Sequence, residues 1–109
     1  MDEVVIIFTN LPDREAAVAL AQALVAKRLA ACVNVLSECT SVYRWKGAVE
    51  NAREVPVLVK TRAACYAEVE AAIRSLHPYE LPEIIAVPVV RGFDGYLRWI
   101  ADETGVSPG

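Results

Sequence analysis

Two stretches rich in β-branched and aromatic residues, Ala31 to Arg44 and Val49 to Thr61, flank the tripeptide Trp45-Lys46-Gly47. Such a pair predicts one long β-hairpin made by the second and third strands of the chain. Its strands, at roughly 14 residues each, are far longer than the usual strand of about 5 to 6 residues. They are expected to project past a small sheet and to leave edges that need a partner. Val55, Val57 and Val59 alternate with Pro56, Leu58 and Lys60, so one face is apolar, while Pro56 cannot donate to a ladder. A bulge or a local edge is expected there.

The other segments fit around this hairpin. EVVIIFT, residues 3 to 9, is a short apolar run that reads as a central strand buried on both faces. Pro12, Asp13 and Glu15 suit a helix start, and Ala17, Leu20, Ala21, Leu24 and Val25 form an apolar stripe, predicting a helix over 13–29. Thr61 is expected to cap a second helix with Tyr66, Val69, Ile73 and Leu76 on its buried stripe, ended by His77-Pro78. EIIAVPVV, residues 83 to 90, predicts a fourth strand whose Pro88 points to a sheet edge, and Asp94 opens a short helix containing Tyr96, Leu97, Trp99 and Ile100. The tail TGVSPG is expected to be loose. The order β-α-β-β-α-β plus a C-terminal helix predicts an α+β fold, the ferredoxin-like split βαβ sandwich on an antiparallel sheet. Residues 1–109 are expected to make a single domain.

Apolar residues make up 55% of the chain and charged ones 23%. That excess of apolar surface predicts a homo-oligomer. The formal charge of -3, without a basic run, argues against nucleic acid as a partner. The longest apolar windows fall short of a membrane helix, and MDEVVIIFTN carries acids where a signal peptide carries bases, so a cytoplasmic protein is expected, with no membrane partner. Cys32, Cys39 and Cys65 are odd in number and widely spaced, as in a reducing compartment. Cys32 is expected in the core.

Chemistry-bearing residues are few. His77, Glu80 and Glu83 are close in sequence, and an imidazole with carboxylates can hold a transition metal; the alternative is that His77 serves the C-terminal end of the second helix. Cys65 is twelve residues before His77, over three helical turns, which rules out a direct catalytic pair. The glycines at 47, 92, 95, 105 and 109 make no phosphate loop. The chain is therefore expected not to be an enzyme. Tyr43, Trp45, Lys60, Tyr79 and Glu83 combine apolar bodies with polar ends and are expected at an intersubunit pocket or interface.

RLAACVNV at 28–35, SVYRWKG at 41–47, VKT at 59–61, LHPYELPEII at 76–85 and YLRWI at 96–100 together resemble the CutA family, the divalent-cation tolerance proteins. The resemblance implies a ferredoxin-like subunit in a tight homotrimer, with the hairpin pairing across subunits, and a cytoplasmic role in tolerance of copper and other divalent metals. Bacterial relatives proposed to bind copper look to have a cysteine ending the first strand and two adjacent histidines before Pro-Tyr. Here those positions hold Thr9 and Leu76-His77. The metal candidates that remain are His77 and Glu83, with Cu2+ or another divalent cation held weakly. A second function is a trimer resembling the PII regulators, sensing a small ligand in intersubunit clefts.

Overall fold

A computed structural model describes residues 3–105. They form β1 (Val4–Leu11), α1 (Arg14–Ala26), β2 (Cys32–Val35), β3 (Cys39–Trp45), β4 (Ala48–Arg62), α2 (Tyr66–Leu76), β5 (Ile85–Pro88) and α3 (Asp94–Glu103). The sheet order is β2-β4-β1-β5, every pair is antiparallel, and β3 continues along β4 beyond β2. This is the expected α+β sandwich. Its extent of 48 × 28 × 23 Å reflects the hairpin, whose β3 and outer β4 run past the end of β1 at Leu11↔Val55.

One face of the sheet carries the core. Val5, Ile7 and Leu11 of β1 and Val55, Val57 and Val59 of β4 pack against Ala17, Leu20 and Leu24 of α1 and Val69 and Ile73 of α2. The alternation of a strand puts Val4, Ile6 and Phe8 on the opposite face. There α3 covers one corner, where Ile100 meets Val4 and Ala31. Ile6 and Phe8 remain half-buried, so β1 is buried on one face rather than two. α2 likewise buries a narrower stripe than expected: Leu76 is exposed.

The first hairpin strand is broken in two at Pro56. Val35 pairs with Val57 and Cys39 with Glu54, so three residues, 36 to 38, oppose two, Val55 and Pro56. That one-residue excess is a bulge. Leu36 N–H donates to the Pro56 carbonyl, which places the proline nitrogen on this same side, where the ladder is already interrupted. Pro88 obeys the same logic on β5. Val89 N–H donates to Val4, so the donors of Val87 face β1 and the missing N–H of Pro88 faces outward. At the hairpin tip Lys46 and Gly47 have φ of 48° and 84°, the positive pair of a two-residue type I′ turn.

Helix ends follow long-range contacts. Asp13 caps α1 by accepting Ala16 N–H at 2.8 Å. The helix stops at Ala26, before the expected residue 29, because Arg28 turns left-handed at φ 59°. Leu29 N–H then bonds Leu24 O and Arg28 N–H bonds Val25 O, the Schellman pattern. Thr61 caps no helix. It is a fully buried strand residue whose hydroxyl donates to Leu29 O at 2.7 Å, and α2 begins only after a 3-10 turn over Ala63–Cys65. Thr104, expected in a loose tail, is buried, with its hydroxyl accepting from Arg62 Nε and donating to Ile100 O. Residues 106–109 of that tail lie outside the described residues.

Candidate functional site

The chemistry-bearing residues gather where β1 ends, the hairpin leaves the sheet and the segment from His77 to Glu83 crosses over. His77 follows the last residue of α2, and its extended backbone (ψ 131°) turns the chain toward β1. Its side chain is buried. Tyr79 N–H donates to Nδ1 at 3.2 Å, so the ring proton belongs on Nε2, which donates to the Asn10 carbonyl. Both nitrogens are thus engaged within the chain. The imidazole joins β1 rather than satisfying the terminal carbonyls of α2; the backbone N–H of His77 closes that helix on Ile73 O.

Two further links hold the segment. Asn10 Nδ2 donates to Glu83 Oε1 at 3.1 Å, and the Tyr79 ring stands 4.5 Å from the His77 ring at 55°. The Tyr79 hydroxyl faces Glu54, a β4 carboxylate only 8% exposed. Burial raises the Tyr79 phenol above its ordinary value of 10.0, and Glu54, Tyr43 and Asp13 push it the same way. The pairing of Cys39 with Glu54 and of Tyr43 with Glu50 puts Tyr43 and Glu54 on one face of the hairpin. Sequence reasoning missed Glu54. Its only signal is alternation, which sets it on the face of Leu58 and Lys60 rather than on that of Val55.

The five expected interface residues separate into groups. Tyr79 and Glu83 lie at the hairpin base, and Tyr43 stands two residues before Trp45 on the face of Glu54. Trp45 stands at the tip, where Lys46 Nζ lies 5.4 Å from its ring centre, and Lys46 also reaches Glu80 at 3.7 Å across an exposed pair. Lys60 is six strand residues from Glu54, about 20 Å along β4, with its Nζ 5.8 Å from the Tyr96 ring. These side chains do not form one wall within the subunit.

Thr9 is 1% exposed and its hydroxyl has no hydrogen-bond partner among the described residues. Leu76 offers only an exposed aliphatic chain. Cys32, expected in the core, is half-buried on the face of Lys60, its partner across the ladder. No group of three or more His, Cys, Asp or Glu side chains is placed to hold a metal among the described residues.

The family model of the CutA1 divalent ion tolerance protein matches residues 5–103. The chain belongs to the CutA family. It is 44% identical over 105 residues to the divalent-cation tolerance protein CutA of Thermus thermophilus, covering 96% of this chain and 100% of that one. Against mouse CutA it is 42% identical over 97 residues, and there it spans 55% of the relative's length. Among solved structures, CutA from Xylella fastidiosa superposes with a TM-score of 0.90 at 42% identity, covering 94% of this chain and 98% of that one.

Proposed function

We propose that this CutA-family chain acts in the cytoplasm as a homotrimer, without catalysing a reaction, in tolerance of divalent cations including copper. The open second face of the sheet carries the assembly reading. Ile6, Phe8 and Leu58 are half-buried there, Ile85 and Val87 beside them are exposed, and Tyr96 and Trp99 continue the patch onto α3. The alternation of paired residues places the β1, β4 and β5 members on one face, opposite the core. Apolar surface of that extent favours covering by another subunit. Among the described residues the outer edge of β3, and the edge of outer β4 that faces away from β3 beyond the end of β1, lack partner strands, so pairing between subunits would satisfy them.

Copper enters this reading as a weakly held ion. Coordination by His77 would require its ring to release the Asn10 carbonyl or the Tyr79 N–H, and Glu83 would have to leave Asn10. Those losses set any direct affinity low. Two measurements test the proposal. Sedimentation equilibrium should return three times the chain mass of 11.9 kDa; a monomer would overturn the trimer. Titration calorimetry of Cu2+ into wild type and His77→Ala should give weak heat that falls in the variant. Heat of equal size in both would remove His77, and none in either would remove direct binding.

A further inference from the structure

At the pole of the subunit opposite the hairpin, the end of α1, the end of β4 and the start of α2 enclose a cleft of about 420 Å³. Lys27, Arg28 and Arg62 line it with a single acid, Glu68. Three cations against one carboxylate is a local excess of positive charge in a chain whose formal charge is -3. The two guanidiniums are fixed in place. Arg28 donates through Nη2 to Asp102 O at 2.7 Å and through Nε to Gly105 O at 3.3 Å, and Arg62 donates through Nε to the Thr104 hydroxyl at 2.9 Å and through Nη2 to Thr104 O at 3.0 Å.

Those partners of Arg28 are neutral carbonyls, which orient the guanidinium without cancelling its charge. Arg28 Nη1 keeps its donors without a partner among the described residues, and neither Lys27 nor Glu68 forms an ion pair there. We propose that this cleft binds a phosphate group, free or carried on a small metabolite. The Nη1 donors of Arg28 and a lysine ammonium are charged donors that phosphate oxygens take, and holding the guanidinium in advance lowers the ordering cost of binding. The cleft volume falls within the range of small-ligand sites, about 300 to 1,000 Å³, and exceeds what phosphate alone fills. Leu29 and Cys65 offer apolar wall to a carbon portion. Glu68 opposes the anion, so the affinity is modest and salt-sensitive.

The test is titration calorimetry at low ionic strength with the full 109-residue chain, using inorganic phosphate and glycerol 3-phosphate as probes. Both substituted side chains are exposed, and thermal melts will verify that each variant folds. Lys27→Gln should weaken binding about threefold and Glu68→Gln should strengthen it about twofold, the scale of single exposed charge interactions. Opposite shifts from two surface variants are not produced by a structural role. Tighter glycerol 3-phosphate would identify a metabolite-borne group, and tighter inorganic phosphate the free anion. The proposal fails if neither probe binds at millimolar concentration, or if binding is indifferent to both substitutions.

Discussion

His77 donates its Nε2 proton to the Asn10 carbonyl, a residue 67 positions earlier, while its Nδ1 accepts the Tyr79 N–H. The only histidine of the chain is therefore a bracket between the end of α2, the end of β1 and the segment that follows. Its removal leaves a carbonyl and an N–H without partners. His77→Ala should cost about 2 to 3 kcal/mol, the scale for orphaned buried polar groups. Chemical denaturation at fixed protein concentration will measure it, and a loss below about 0.5 kcal/mol would mean that water replaces both bonds at no cost.

Arg28 has the left-handed backbone that glycine adopts freely, and holds it because its side chain and carbonyl are bound to the end of α3. Two opposed contributions can be separated. Arg28→Ala loses the clamp and keeps the backbone strain, whereas Arg28→Gly loses the clamp and relieves the strain. The glycine variant should be the more stable of the two by about 1 kcal/mol. Equal stabilities would show that the strain is absorbed elsewhere.

Gly47 raises the same issue without any steric crowding. A Cβ there would meet nothing within 4 Å, yet φ is 84°. Gly47→Ala should cost about 1 kcal/mol through conformation alone. Loss of hydrogen-exchange protection confined to β3 and outer β4 is the expected signature, and unchanged protection would refute it.

Tyr66 and Tyr79 both have phenols raised above 10.0, each chiefly by burial and then by an accepting glutamate, Glu70 and Glu54 respectively. A raised folded-state value means that the native state favours the neutral phenol. The stability so gained is present below about pH 10 and is lost as pH climbs through the folded-state values. Ultraviolet titration should show two of the four tyrosines ionising late. Tyr66→Phe and Tyr79→Phe should each flatten the alkaline decline; a decline of unchanged slope in both would exclude these hydroxyls.

Local patterning was enough to foresee the order of elements, the edge position of Pro88 and the bulge at Pro56, since each depends on a backbone donor that proline lacks. What it could not foresee depends on contacts between distant segments. Thr61 has the composition of a helix cap, but pairing with Val5 and the carbonyl of Leu29 keep it in β4. Thr104 reads as tail until Arg62, 42 residues earlier, holds it. The His77 candidate was visible as the lone imidazole between prolines. Its engagement on both sides, and the burial of Glu54 beneath Tyr79, arise only when the ends of β1, β4 and α2 are brought to one place.

Thr9 tests how far the first strand has departed from polar chemistry. Its hydroxyl is buried among core residues and has no hydrogen-bond partner among the described ones. A hydroxyl in that state carries its desolvation cost with no bond to offset it. Valine has nearly the same shape, and Val57 already lies directly across the ladder. Thr9→Val should therefore raise stability by about 1 kcal/mol, without altering the response to Cu2+. A loss of stability on this substitution would show that the hydroxyl is bonded after all, and a changed Cu2+ heat would add Thr9 to the metal candidates His77 and Glu83.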